Sequence, residues 1–157
     1  MKAYIGIDNG VSGTIAILTD NETIFVKTPV KKEQDYTKAK KMVTRVDVSA
    51  LKDLLAPFAD DAFILLERPL VNPKMFAATA SALRCHEAEL TVIEMLEIPF
   101  QFIDSKEWQK ALLPKGCDDT KKASLDIGNR LFPMFREFKH PDRDALLIAV
   151  YGKRNQL

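Results

Sequence analysis

The sequence predicts an α/β domain, a mixed five-stranded sheet flanked by helices. Three observations lead there. Residues 2–28 hold three short apolar segments separated by turn residues, the pattern of an antiparallel meander. Beyond residue 46, helical apolar spacing alternates with short continuous apolar runs. One of these runs, Ala62–Leu66, is unbroken enough to be a strand covered on both faces.

Lys2–Asp8 reads as the first strand, and Asn9-Gly10 follows as a turn. Gly13–Thr19 is the second strand. The Asp20-Asn21 turn leads into the third, Glu22–Thr28. Pro29 to Arg45 is polar and lysine-rich, and is expected to be a mobile loop. Asp47 can cap a helix to Pro57 that presents Val48, Leu51, Leu54 and Leu55 on one face. Ala62–Leu66 then ends at Glu67. Asn72-Pro73 reads as the start of a long helix to about Leu96, with Met75, Ala78, Ala82, Leu83 and Leu90 as its apolar positions. Phe100–Ile103 is a short strand. Ser105 is expected to cap a helix to Leu112, and Asp119 or Thr120 another to Phe132. Pro141 is expected to open a last helix through Tyr151, stopped by Gly152.

With 157 residues, 46% of them hydrophobic, residues 1–157 are expected to form a single domain with one core. There is no Gly/Ser-rich linker, internal repeat or low-complexity tract. No apolar run approaches the roughly 20 residues that span a bilayer. Asp8 interrupts the N-terminal apolar run, so a signal peptide is not expected there. Cys85 and Cys117 lack CxxC or Cys/His spacing, which fits two reduced thiols in a cytoplasmic protein. The net charge of +1 does not announce a nucleic-acid partner, but its distribution is uneven. Lys27–Arg45 has seven Lys/Arg against two acids, Asp47–Asp104 four against ten, and Lys106 onward eleven against seven. Basic segments around an acidic middle suit a protein that tracks phosphates while keeping a carboxylate centre.

The acids that carry chemistry are Asp8 and Glu67, at the ends of the two most apolar strands, and Asp142 and Asp144 near the last helix. Parallel neighbouring strands place Asp8 and Glu67 side by side at one sheet edge. A last helix packed on the sheet through Ala145, Leu146, Ala149 and Val150 brings its first turn to that edge. Converging carboxylates repel unless a cation binds. Hard oxygen donors suit Mg²⁺ or Mn²⁺, and two such ions about 4 Å apart assist phosphodiester hydrolysis. No His/Cys set competes as a zinc site, and His86 and His140 assemble no serine triad.

In these motifs the chain resembles the RuvC-type Holliday-junction resolvases of the ribonuclease-H-like superfamily, especially their small phage-encoded relatives. IGIDNGVSG resembles the first family motif, with Asn9 where proline is common, and LLERP the second. DSKEWQKALLPKG with DDTKKAS resembles the segment of DNA-contacting lysines, and DRDALLIA the terminal motif. The resemblance implies a homodimeric crossover junction endodeoxyribonuclease acting on four-way or branched DNA. Paired symmetrical nicks would leave 5′-phosphate and 3′-hydroxyl ends. By position it implies Asp8, Glu67 and Asp144 as ligands of two Mg²⁺ (Mn²⁺ as substitute), with no small-molecule cofactor and no membrane. Family members place a fourth residue three or four positions before the last Asp. Here those positions are Pro141 and His140, and Asp142 lies only two before. Residues two apart on a helix diverge, so Asp142 fits if the helix begins late and His140 if it begins early. An anionic oxygen favours Asp142.

Lys106, Lys110, Lys121 and Lys122 match the DNA-contacting lysines, whose phosphate contacts fix position without reading sequence. Phe76 lies in the segment the family brings to the branch point. It can stack on bases there, or pack into the core as an ordinary helix residue. Trp108 is expected in the core, and the long helix is implied at the dimer interface. The glycine turn after Asp8 also resembles the phosphate turn of actin-like ATPases, but those enzymes need two lobes. A non-catalytic DNA-binding module and a nuclease for forks, flaps or RNA–DNA hybrids complete the alternatives.

Overall fold

Strand β1, Ala3–Ile7, alternates its side chains between two different helical layers. A computed structural model describes residues 2–157. On one face, Ile5 and Ile7 join Ile15, Ile17, Ile64 and Leu66 beneath the first two helices. On the other, Gly6 lies directly against the last helix. A Cβ there would collide with the Ala145 carbonyl and the Ala149 amide. That missing methyl lets the last helix rest on the strand backbone.

The main sheet has the order β3-β2-β1-β6-β7. Here β2 is Thr14–Leu18, β3 Thr23–Lys27, β6 Ala62–Glu67 and β7 Phe100–Ile103. The first three pair antiparallel, whereas β1–β6 and β6–β7 are parallel. This is the expected mixed five-stranded sheet. Helices α1 (Val48–Leu55) and α2 (Phe76–Met95) cover one face, through Leu51, Leu55, Cys85, Val92 and Ile93. Helices α3 (Ser105–Leu112), α4 (Thr120–Leu131) and α5 (Asp144–Arg154) lie on the other. Residues 145–149 of α5 are fully buried, as befits an apolar helix at the centre of a layer. Among the described residues no helix is long and apolar enough to cross a membrane.

Several boundaries differ from the sequence reading. The expected mobile loop is a two-stranded antiparallel hairpin, β4 (Val30–Gln34) and β5 (Met42–Val46), which forms a sheet of its own. Helix α2 begins at Phe76 and not at Asn72. The Asn72 side chain instead accepts from the Lys74 amide, and its carbonyl accepts from the Met75 amide and the Thr79 hydroxyl, which holds a turn ahead of the helix. The buried positions of α2 are Cys85, Glu89, Val92 and Ile93, so Ala78 and Leu83 are left exposed. Asp104, not Ser105, occupies the position before α3. Pro141 does not open α5, because the chain turns through Asp142 and Arg143 before the helix starts at Asp144. Gly152 does not stop it either. It lies inside α5, where a Cβ would press on Leu65.

Candidate active site

Asp8 follows β1 directly, and Glu67 is the last residue of β6. The parallel register pairs Ile7 with Leu66, so the next residues on each strand, Asp8 and Glu67, are neighbours. The two carboxyls are close enough for each to shift the pKa of the other. The turn after Asp8 closes tightly, with the Asp8 amide donating to the Thr14 carbonyl (3.1 Å) and Gly13 to Gly10 (2.9 Å). A Cβ on Gly13 would strike the Asp8 carbonyl, and Gly10 has φ +134°, so both glycines are needed for this turn.

Asp142 and Asp144 reach the same edge because α5 starts late. Asp144 is the first helical residue, whereas Asp142 lies in the preceding turn and accepts the Asp144 amide (3.2 Å). The divergence expected of residues two apart in a regular helix therefore does not arise. Oxygen atoms of Asp8, Asp142 and Asp144 lie within 4.8 Å of one another. His140 stands behind them, with Nδ1 3.5 Å from Asp142 and Nε2 2.9 Å from the Ser12 carbonyl. Between the two alternatives, it is Asp142 that joins Asp8 and Asp144.

The turn that delivers Asp142 is held by Arg143, a residue the sequence reading did not single out. Its guanidinium is buried and donates to Asn129 Oδ1 and to the carbonyls of Phe135, Phe138, His140 and Asp142, at 2.8–3.1 Å. Gly128 of α4 leaves the space its side chain fills. Ser124, also missed, donates to Asp144 Oδ1 (2.5 Å) and accepts from the Arg143 amide (3.0 Å). Trp108 is in the core as expected, and its Nε1–H additionally donates to Glu67 (3.3 Å). All three lie inside the segments DSKEWQKALLPKG, DDTKKAS and DRDALLIA, but nothing in those segments marks their supporting role, because the fold alone brings each to its partner.

Burial pushes the Asp8 carboxyl well above the ordinary carboxylate range, and its contact with Glu67 raises it further. Burial also raises Glu67. Asp144 is pushed up to about 7, first by burial and then by the charge of Asp142. Lys121 sits 2.8 Å from Asp142 and 3.9 Å from Asp144. Burial opposes its charge, but the bond to Asp142 together with the charges of Asp142, Asp144 and Asp8 outweighs that and raises its pKa. An all-oxygen cluster that retains protons for want of positive charge has the donor chemistry a hard divalent cation requires.

The other lysines are exposed. Lys106 and Lys110 line an open groove together with Lys115 and Thr120, and Lys122 follows Lys121 on α4. Phe76, at the start of α2, is 81% exposed, which overturns core packing as its role. Leu70, Val71 and Met75 are exposed nearby in sequence. On the opposite side of the Asp8 turn, α2 buries Glu89 beside Cys85 (3.4 Å), with one carboxyl oxygen unpartnered. Burial raises Glu89 to about 8.

Two solved structures are similar to the chain along nearly its whole length. One is T. thermophilus RuvC in complex with Holliday junction substrate: TM-score 0.62, 12% identity, 99% of this chain and 93% of that chain covered. The other is a Thermus thermophilus RuvC structure: TM-score 0.52, 13% identity, with 99% and 96% covered. The fold is thus that of RuvC, of the ribonuclease-H-like kind. No family model and no curated protein matches the sequence.

Proposed function

We propose that this protein is a metal-dependent endonuclease that resolves Holliday junctions and related branched DNA. The observation that carries the reading is the meeting of Asp8, Asp142 and Asp144 within 4.8 Å at one sheet edge of a RuvC fold. Glu67, beside Asp8 on the neighbouring parallel strand, adds a fourth carboxyl. The similar RuvC chain bound to a Holliday junction supports the choice of substrate.

The donor set fits two Mg²⁺, with Mn²⁺ as substitute. Asp8, Glu67 and Asp144 would hold them, and Asp142 would complete the site. When bound, such cations supply Lewis acidity for activating water and for stabilising the departing 3′ oxygen. The chain's own residues prepare the site. Trp108 orients Glu67, Ser124 orients Asp144, and Arg143 fixes the turn bearing Asp142. Lys121 offsets part of the carboxylate charge, and its exposed ammonium can also pair with a phosphate. Lys106, Lys110 and Lys122 bind flanking phosphates, and Phe76 offers its exposed ring to bases at the branch. Hydrolysis leaves a 5′ phosphate and a 3′ hydroxyl. Two copies of the chain acting as a homodimer in the cytoplasm would make the paired cuts.

The test is nicking of a labelled four-way junction in Mg²⁺, with linear duplex and RNA–DNA hybrid as controls and Asp8→Asn beside the wild type. Paired symmetrical cuts in the junction, lost in Asp8→Asn, are expected. Binding without cutting in either Mg²⁺ or Mn²⁺ would overturn the catalytic reading. Preferential cutting of the hybrid would replace the substrate.

A further inference from the structure

The β4–β5 hairpin is built in a way that the candidate site does not require. Between Val30 and Val46 it holds six Lys/Arg and two acids, so the rest of a chain of net charge +1 carries a net −3. Both acids are used inside the hairpin. Glu33 is clamped by Lys31 of its own strand (2.8 Å) and by Arg45 of the neighbouring strand (2.9 Å). Asp35 accepts from the Thr37 amide (3.1 Å) and hydroxyl (2.6 Å). Lys32, Lys38 and Lys40 are exposed and form no ion pair among the described residues. The hairpin therefore carries a net charge of +4, and three of its lysines are left without an acidic partner among the described residues.

The tip is ordered by its own hydrogen bonds. The Asp35 amide donates to the Lys41 carbonyl (2.8 Å), and Lys40 donates to Thr37 (3.0 Å). Lys40 takes the left-handed conformation, φ 46°, that closes the turn. This turn holds Tyr36 97% exposed, where its ring gives the fold nothing. At the other end the hairpin is tied to the loop that bears Asp8. The Thr28 amide donates to the Gly13 carbonyl (3.0 Å), and Thr44, Arg45 and Val46 line a small cavity with Val11 and Arg84. Five paired residues reach about 16 Å from that base, a length over which duplex DNA presents about ten phosphate charges.

We propose that the β4–β5 hairpin is a second DNA-binding element, an arm whose Lys32, Lys38 and Lys40 engage the phosphates of a duplex arm leading into the carboxylate site. The inference rests on the nuclease reading above and adds a surface to it. Contact is with the backbone, so the arm strengthens binding to any sequence and leaves the chemical step alone.

The experiment compares full-length wild type with a combined Lys32→Gln, Lys38→Gln, Lys40→Gln variant. Junction binding is followed by fluorescence anisotropy over a salt series, and nicking over a range of junction concentrations. Each lost phosphate contact should reduce the magnitude of the log-affinity versus log-salt slope by about 0.9. The variant should lose between one and three units of slope and bind about tenfold or more weakly at low salt. Its KM for the junction should rise while its nicking rate at saturation stays within twofold. Should the triple variant fail to fold, the three single variants carry the same test at up to one slope unit each. If wild type binds and cuts the junction and the variant matches it in affinity and slope, the arm is refuted and the nuclease reading stands. If wild type neither binds nor cuts, both fall together.

Discussion

Ser124 is a neutral residue whose hydroxyl joins two parts of the carboxylate cluster, donating to Asp144 and accepting from the Arg143 amide. Supports of this kind orient a metal ligand without touching the metal, and losing one typically weakens metal affinity by about 10–100-fold. Ser124→Ala should therefore raise the Mg²⁺ concentration for half-maximal nicking by about that factor while keeping residual activity at saturating metal. An unchanged Mg²⁺ dependence would refute the supporting role. Glu89 makes a different residue-level prediction. Its pKa is raised from 4.5 to about 8, so the stability it contributes is fully present below pH 4.5 and lost progressively as pH rises to about 8. Metal-free wild type should weaken across that window by an amount of the order of a few kcal/mol. Asp8 and Asp144 shift in the same direction, so Glu89→Gln should flatten the urea midpoint between pH 5 and pH 8 without abolishing the trend. Equal slopes for the two proteins would exclude Glu89 as a source. The acids at strand tips are visible in sequence because an apolar run ending in a carboxylate is a local pattern. Ser124, Arg143 and Glu89 are not visible, because each acquires its role from a partner distant in the chain or from burial.

At the scale of elements, strands covered on both faces are the most legible. Ala62–Glu67 matches its expected span closely because a continuous apolar run of that length has few other uses; Phe100–Ile103, an edge strand that exposes Gln101, also matches its span. The hairpin was missed for the opposite reason. Of its strand residues only Val46 is buried, and in β4 Lys31, Lys32 and Glu33 fill positions where an apolar alternation would have signalled β structure. Pro141 and Asp142 imitate a helix opening, so the expected start of α5 falls too early, and the alternative of a late start is the one found. That alternative bears on function, since only the late start lets Asp142 and Asp144 share a site. Phe76 tests whether the beginning of α2 serves binding or folding. With the ring 81% exposed, Phe76→Ala should leave unfolding stability within about 0.5 kcal/mol of wild type. Stacking on a base is worth about 1–3 kcal/mol, so junction affinity or nicking should fall roughly 5–150-fold. A stability loss with unimpaired cutting would return Phe76 to a structural role.

At the scale of the whole molecule, folding gathers Asp8, Glu67, Asp142 and Asp144 from strand, turn and helix ends onto one edge, with Lys121 the nearby ammonium. Burying and then concentrating four acids opposes folding, and the pKa values of Asp8, Glu67 and Asp144, raised first by burial and then by neighbouring carboxyls, reflect that opposition. A cation that binds the gathered acids but not the unfolded chain stabilises the entire fold. At 100 times its Kd the gain is about 2.7 kcal/mol. For a chain of this size each kcal/mol is worth about 2–4 °C in Tm, so saturating Mg²⁺ should raise Tm by roughly 5–10 °C. The rise should also depend on pH in a known direction. Asp144 titrates at about 7, so at pH 6 a cation must displace a proton that at pH 8 is already gone. The Mg²⁺-induced increase should therefore be larger at pH 8 than at pH 6, and it should shrink in Asp144→Asn at both. Thermal melts of wild type and Asp144→Asn, with and without Mg²⁺ at the two pH values, make the comparison. A shift that persists undiminished in Asp144→Asn would place the metal elsewhere on the molecule. If no shift appeared at either pH in Mg²⁺ or Mn²⁺, the carboxylate cluster would not be a metal site.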